Sequence, residues 1–467
     1  MLILVLQLLL FLYPSLFVLY QLILYYRSKK VLVLSPDLKE TNLPFLSIIV
    51  PTKGESLDVI QGLIDNINTL IWDKQKLEVI IVSDDDEQYF STLKGTLKIP
   101  KYLNVRLFRR EKRLGFKSGA LSYGFEMARG NLILTIDVDS RLPRDALIKA
   151  YAKMIESNCD AVVFEWNGYT NNMYSNLAKG LVATTVLASR ALFRGKESIG
   201  LRPFPVGSGT IFKREVLEKL HGWDYSLIQD DLEIGARMAH IGKRVCSSGV
   251  PIYIEVPDNL YGFYVQQTRW ALGTGEVLRN RVKYILSSPY SLSQKMDMVF
   301  HLLQYTPIII TFILATLVAV LAPFKFGDIL RTPLFLLWMA ILVLYAITLF
   351  ILALRLGLGF KNSLMAIGAL SALTVAISPF ITISFFKGIL SKDKVYVVTP
   401  KGNVKVSFES KVRRINAVIA VFGLMYFTAS IIYFLHSYII TGLWLLYYSS
   451  GYLYTVFGYN KQYNNLF

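Results

Sequence analysis

The chain has 467 residues, 53% of them hydrophobic and 18% charged, with 50 Lys and Arg against 33 Asp and Glu and a formal net charge of +17. Its mean hydropathy of +0.43 is too high for a water-soluble enzyme, and the composition excludes a disordered chain and a collagen-like fibre. What remains is an integral membrane protein with one large water-facing domain, whose basic excess follows the positive-inside rule rather than nucleic-acid binding.

Met1 to Tyr26 carries no charge and is long enough to span a bilayer, which takes about 20 apolar residues. Arg27, Lys29 and Lys30 follow directly. This polarity is the reverse of a cleavable leader, so residues 1–26 read as an anchor with the segment from 27 onward in the cytosol.

Residues 27–297 read as one α/β domain. Strand-like runs at Leu46–Pro51, Leu77–Ser83, Asn104–Phe108 and Asn131–Ile136 alternate with helical patterns at Leu57–Ile71 and Lys117–Ala128. Such alternation predicts a mostly parallel sheet with helices on its faces and ligands at the carboxyl ends of the strands. Cys159 and Cys246 are the only cysteines. In a cytosolic domain they are expected to be reduced thiols, and their spacing suits no structural zinc site.

Residues 298–386 contain three uncharged stretches, Met298–Phe324, Thr332–Leu354 and Asn362–Phe386. Lys387 to Arg414 carries eight Lys or Arg against Asp393 and Glu409, which places it in the cytosol beside the α/β domain. An even number of crossings must then precede it. Asn362–Phe386 is expected to lie along the interface or re-enter, broken by Ser378-Pro379; the alternative is three spans with the basic segment outside. Residues 415–460 are free of charge and long enough for two spans.

The chemistry-bearing residues cluster at predicted strand ends. Asp137-Val-Asp139 closes the run Leu132–Ile136 and offers two hard oxygen ligands suited to Mg²⁺ or Mn²⁺. Asp84-Asp85-Asp86 closes another run, and three adjacent carboxylates need a cation, donors or water. Lys117-Ser-Gly-Ala120 opens a helix, where a lysine, free N–H groups and the dipole together suit phosphate oxygens. Gln229-Asp-Asp231 precedes a helical run, as a simple cap could. Gln266, Arg269 and Trp270 share one helical face and suit phosphate and a sugar ring.

The order Ile49-Val-Pro-Thr-Lys-Gly-Glu55, Ser83-Asp-Asp85, Lys117-Ser-Gly-Ala-Leu121, Asp137-Val-Asp139, Gln229-Asp-Asp231 and Gln266-x-x-Arg269-Trp270 resembles the membrane-bound family 2 glycosyltransferases from about Leu46 to Leu278. That family includes cellulose, chitin and hyaluronan synthases and ceramide glucosyltransferase. Tyr396-Val-Val-Thr-Pro-Lys-Gly402 is similar to the gating loop of cellulose synthase.

The resemblance implies a GT-A-like mixed, mostly parallel sheet domain joined to an α-helical membrane domain, and inverting transfer from a nucleotide sugar. Thr52, Glu55, Asp84 and Asp85 would hold the nucleoside. Lys117 would contact the diphosphate, with Asp137 near ribose and phosphates. Asp139 would ligate Mg²⁺ or Mn²⁺, and Asp231 would be the general base. Gln266, Arg269 and Trp270 would meet diphosphate and acceptor, and Thr399 and Lys401 would close over the nucleotide. Departures are Gln229-Asp230 for the family's Thr-Glu, Ser122 for its usual Asn and Tyr396 for its Phe. The expected partners are a nucleotide-sugar donor, a UDP-sugar by this resemblance, a carbohydrate or lipid-linked acceptor and membrane lipids, with no nucleic acid. A processive polysaccharide synthase exporting through its own helices is the leading expectation. A single-transfer enzyme acting on a membrane lipid is the alternative, and an inactive transporter or scaffold the third.

Overall fold

Leu46–Thr52, Leu77–Ser83 and Leu132–Thr135 are buried along almost their whole length, as expected of near-continuous apolar runs covered on both faces. In the computed structural model, which describes residues 2–28, 43–324, 330–391 and 409–459, they form the centre of a seven-stranded sheet. The strands are β1 (Leu46–Thr52), β2 (Leu77–Ser83), β3 (Asn104–Arg109), β4 (Leu132–Thr135), β5 (Ala161–Tyr169), β6 (Thr210–Lys213) and β7 (Val245–Glu255). Their order is β3-β2-β1-β4-β6-β5-β7. Pairing is parallel except at β6, which runs antiparallel to β4 and β5. The sheet is thus mixed and mostly parallel, with one apolar core on each face.

Helices α1 (Leu57–Thr69), α2 (Phe116–Met127), α3 (Ala146–Glu156) and α4 (Asn176–Arg190) alternate with the strands. Helix α5 (Asp230–His240) precedes β7, and α6 (Leu260–Leu286) follows it. Cys159 and Cys246 are joined by a disulfide, which corrects the expectation of free thiols. The physical reason is register: Cys246 pairs with Val162 on β7, and Cys159 lies just before β5, so the two α-carbons are 6.1 Å apart.

After α6 come α7 (Leu292–Leu302), α8 (Thr306–Val320), α9 (Pro333–Arg355), α10 (Phe360–Leu390), α11 (Glu409–Leu435) and α12 (Ile439–Leu453). Among the described residues, Ile3–Ser28, α9, α10 and Val412–Leu435 are long and apolar enough to cross a membrane; α7 and α8, bent by 49°, make a possible fifth span. Helix α12 has 15 residues and continues into a π-helical turn, Tyr454–Tyr459.

The expected break at Ser378-Pro379 does not occur, because α10 is one helix of 31 residues. Pro379 leaves the Val375 carbonyl without its usual N–H donor, and the Ser378 hydroxyl supplies the missing bond at 2.7 Å. Helix α10 also touches the α/β domain towards both ends. Near its start, Ala366 and Leu370 pack on Gly180 of α4; near its end, Phe385 and Gly388 pack on α6. A Cβ on Gly388 would lie 2.1 Å from the Leu272 carbonyl oxygen, so only glycine permits that approach. Thr399, Lys401 and the rest of Tyr396–Gly402 lie outside the described residues.

Candidate active site

The carboxyl ends of β1 and β2 meet at a backbone hydrogen bond from Asp84 N–H to the Thr52 carbonyl, 3.0 Å. Beyond β1, the Gly54 N–H donates to Asp85 Oδ1 at 2.7 Å and the Lys53 N–H donates to the Glu55 carboxylate. Gly54 has φ +77°, a conformation that lets the turn bring its N–H to that carboxylate. Asp85 Oδ2 accepts from the Ser83 hydroxyl at 2.9 Å. Burial pushes the Glu55 carboxyl up to about 7, with the charges of Asp85 and Asp139 adding to the shift. The Thr52 hydroxyl is buried and has no hydrogen-bond partner among the described residues, an orphan donor facing the end of its strand.

Asp84 is placed differently from its neighbours. Both of its carboxylate oxygens are taken by Arg110, Nε to Oδ1 at 2.7 Å and Nη2 to Oδ2 at 2.6 Å, and both side chains are buried. The same guanidinium donates to the carbonyls of Leu114 at 2.8 Å and Phe116 at 2.9 Å. It therefore shapes the turn into α2, and the second residue of α2 is Lys117.

Lys117 Nζ lies 2.7 Å from Asp137 Oδ1, 2.9 Å from the Gly207 carbonyl oxygen and 3.9 Å from Asp230 Oδ2. The Gly207 N–H donates to Asp231 Oδ2 at 3.1 Å, and the Leu232 N–H donates to Asp231 Oδ1 at 2.8 Å. One residue, Gly207, thus carries the lysine on its carbonyl and the aspartate on its N–H, on two successive peptide units. A Cβ at Gly207 would sit 3.2 Å from Lys117 Nζ and 3.3 Å from Asp230 Oδ2, so a larger residue there would press on both side-chain ends.

Ser208 fixes the same turn. Its hydroxyl accepts from the Asp137 N–H at 2.9 Å and pairs with the Ser140 hydroxyl at 2.8 Å. Burial and then the charge of Asp230 push the Asp231 carboxyl up to about 6. The Asp230 carboxyl is also raised, by burial first and by Asp137 in addition, against the opposing pull of Lys117 and Arg269.

Asp139 is buried, at the end of the turn after β4. Its carbonyl accepts the Tyr169 hydroxyl at 2.8 Å. Burial, helped by the charge of Asp139, pushes that phenol up to about 12. Among the described residues no group of three or more His, Cys, Asp or Glu converges to hold a metal by itself. Asp137 and Asp139, two residues apart on one turn, offer only hard carboxylate oxygens, a donor set that fits a divalent cation such as Mg²⁺ or Mn²⁺.

Helix α6 carries Gln266, Arg269 and Trp270 as the i, i+3, i+4 spacing requires. Gln266 Oε1 accepts from Gln267 Nε2 at 3.3 Å. The Trp270 ring lies 6.1 Å from that of Trp166 on β5, tilted by 32°, and both indoles are partly exposed. Trp166 Nε1 donates to the Ser208 carbonyl at 2.8 Å, so this indole reaches the turn that holds Lys117 and Asp231. Helices α5 and α6 are clamped by the buried Glu233, which accepts from Arg237 at 2.7 Å and from Arg281 at 2.9 Å.

Lys117, Asp137, Asp230 and Asp231 therefore converge on one turn, while Glu55 and Asp85 share the end of β1. Sequence reasoning missed Gly207, Ser208, Trp166 and Arg110. The run Val206-Gly-Ser-Gly-Thr210 before β6 was the available signal, since two glycines beside a short strand mark a close backbone approach.

Residues 132–355 match the family described as glycosyl transferase family group 2. A protein of Sulfolobus acidocaldarius described as a probable glycosyltransferase is 59% identical over 458 residues, covering 98% of each chain. The chain belongs to the family 2 glycosyltransferases.

The enzyme is also 24% identical over 278 residues to the beta-monoglucosyldiacylglycerol synthase of a Synechocystis strain, 58% of this chain and 57% of that one. It is 24% identical over 246 residues to a poly-beta-1,6-N-acetyl-D-glucosamine synthase of Staphylococcus aureus, 52% of this chain and 58% of that one. In fold it resembles a mannosyltransferase of Pyrobaculum calidifontis solved with GDP-mannose and Mn²⁺. That likeness has TM-score 0.52 and 19% identity, and covers 81% of this chain and 100% of that one. The GT-A-like architecture is thus shared with a known glycosyltransferase domain.

Proposed function

We propose that the enzyme transfers a sugar, with inversion, from a nucleoside-diphosphate sugar to an acceptor carried by a membrane lipid. The reading rests on Gly207, whose carbonyl holds a phosphate-seeking lysine and whose N–H holds a carboxylate of raised pKa. An acceptor hydroxyl attacks the anomeric carbon and gives its proton to Asp231. The bond from that carbon to the diphosphate oxygen breaks, and the electron pair stays on the diphosphate. Lys117 and Arg269 meet the charge that develops there. Asp137 and Asp139 would hold Mg²⁺ or Mn²⁺, which when bound neutralises the leaving diphosphate. Thr52, Glu55 and Asp85 line the nucleoside end, and Asp84 acts through Arg110 on the placement of Lys117.

The lipid acceptor is favoured by how the membrane helices pack. Tyr426, Tyr433 and Tyr452 are fully buried between them, and Gly423 and Gly442 let α11 and α12 close on Tyr452 and Phe434. The Tyr426 and Tyr452 hydroxyls lie 2.8 Å from Thr316 and 3.1 Å from Ser378. Such close contact of α11 with α8 and of α12 with α10 supports delivery of the acceptor from the bilayer rather than export of a polymer between these helices. The polysaccharide reading draws on the likeness to the Staphylococcus aureus synthase and on the Tyr396–Gly402 motif. In both readings the α/β domain and residues 387–414 face the cytosol of a cell-membrane protein, as the basic flanks require.

The test is incubation of purified enzyme in lipid nanodiscs with radiolabelled UDP-sugars and GDP-mannose, with Mn²⁺, Mg²⁺ or excess chelator. Label entering the organic phase as a single glycolipid supports the proposal. A water-soluble polymer replaces it with the polysaccharide reading. Full turnover in chelator removes the metal.

A further inference from the structure

Three residues, 170–172, separate an exposed apolar tip from Tyr169, which touches the turn that carries Asp139. Tyr169, the last residue of β5, donates its hydroxyl to the Asp139 carbonyl. The tip follows at Met173 and Tyr174, which are 59% and 78% exposed. Asn172 builds the turn internally: its Oδ1 accepts the Tyr174 N–H at 3.1 Å and its carbonyl accepts the Ser175 N–H at 3.2 Å. The Asn172 N–H goes to Thr170 Oγ1 at 3.0 Å. Two large side chains are thus held outward on a turn whose N–H groups at 172, 174 and 175 are already satisfied, which is what a weakly polar medium demands of a loop.

The tip is also tied to the membrane helices. Asn172 Nδ2 donates to Asp258 Oδ2 at 3.0 Å and the Ser175 hydroxyl to the Asp258 carbonyl at 2.6 Å. That same carbonyl accepts the hydroxyl of Tyr459, the last residue of the turn that ends α12, at 3.1 Å. Ser175 caps α4, whose Leu177, Ala178 and Leu181 belong to one apolar cluster with Leu10, Ile309 and Tyr452 of the membrane helices. The tip therefore stands at the level where those helices end.

We infer that residues 170–175 form a lip that dips into the headgroup layer of the bilayer and brings the lipid-borne acceptor to the reaction site. The occupant of this surface is the lipid layer itself: tyrosine and methionine suit the boundary between headgroups and acyl chains, and Thr170, Asn171 and Asn172 suit the headgroups. The acceptor half of this inference rests on the lipid-acceptor reading; the depth of the lip does not.

The disulfide leaves no free native thiol, so Tyr174→Cys introduces a single labelling site. A nitroxide there, in phosphatidylcholine nanodiscs, is expected to collide more with oxygen than with a water-soluble nickel chelate. Tyr102→Cys, on the turn before β3, provides the water-exposed reference. Equal nickel access at both sites overturns the membrane contact.

The double variant Met173→Ser, Tyr174→Ser is then assayed in nanodiscs of total polar lipid, with UDP-glucose and GDP-mannose as probes. Label transferred to organic-phase lipid per nucleoside diphosphate released is expected to fall about tenfold, with donor hydrolysis unchanged. An unchanged ratio removes the acceptor role, and a parallel fall in hydrolysis assigns the loop to support of Tyr169 instead. If the unmodified enzyme labels no lipid, the lipid-acceptor reading and the delivery role fall together, while the nitroxide result still decides the depth of the lip.

Discussion

Two acidic clusters stand at the carboxyl ends of the strands on either side of β1 and are neutralised in opposite ways. After β2, Asp84 is closed by a bidentate guanidinium and both partners are buried. After β4 and before α5, Asp137, Asp230 and Asp231 crowd around the single amine of Lys117. The first arrangement is electrically complete and holds a turn in place. The second carries an excess of negative charge, which adds to burial in raising Asp230 and Asp231 and invites a cation. Runs of aspartate that look alike in one dimension thus divide into a fastening and a reactive centre, according to whether a bidentate arginine closes one carboxylate or several carboxylates share a lysine.

The largest effect expected from this contrast is at Asp231. Asp231→Asn keeps the shape and the bond from Gly207 but cannot take a proton. Turnover should fall by about 10²–10⁴-fold, while calorimetric binding of the nucleoside diphosphate stays near that of the unmodified enzyme. Near-normal turnover would move the base to Asp230 and end the distinction between the two clusters.

That distinction was only partly legible in the sequence. The runs at β1, β2 and β4 and the helices after β1 and β3 were readable because buried parallel strands are apolar throughout and surface helices are not. The residues at their carboxyl ends followed from the general position of ligands on such sheets. Hidden were the contacts that depend on chain segments far apart. Arg110 is separated from Asp84 by a strand, and Gly207 from Lys117 by 90 positions, so no local pattern pairs them. The continuity of α10 through Pro379 was hidden for a different reason, since it depends on a side-chain hydroxyl replacing a backbone donor.

The fastening predicts a loss of stability rather than of chemistry alone. Asp84→Ala leaves a buried guanidinium without its partner, which costs on the order of 3–5 kcal/mol. Thermal unfolding in detergent should occur at distinctly lower temperature than for the unmodified enzyme. Asp230→Asn should show no such loss, because it removes a like charge from a crowded site. Equal destabilisation by the two variants would erase the contrast.

Asp230→Asn sharpens it further through pH. Asp231 must be ionised to act, so kcat/KM should fall about tenfold per pH unit below about 6 and level off above it. The charge of Asp230 is the second cause of that elevation, after burial. Its removal lowers the Asp231 pKa, and the acid limb of the profile should move to lower pH. A limb that stays in place would show that burial alone sets the value.

The smallest effect concerns Trp166, where two roles can be separated. Its indole N–H holds the Ser208 carbonyl, and Ser208 adjoins Gly207, whose carbonyl and N–H hold Lys117 and Asp231. Its ring stands beside Trp270, on the side assigned to the acceptor. Trp166→Phe keeps an aromatic face and removes only the donor, and a hydrogen bond of this kind is worth about 1 kcal/mol net, or about fivefold in rate. If the bond serves to hold the turn, kcat should fall by that factor with KM for the acceptor unchanged. Trp166→Ala removes the ring as well. An aromatic contact contributes about 0.5–1.5 kcal/mol beyond its area, so acceptor KM should then rise by roughly two- to tenfold on top of the same loss in kcat. A rise in KM already present in the phenylalanine variant would mean that the N–H reaches the acceptor directly, and the turn around Gly207 would have to be held by Ser140 and the Asp137 backbone alone.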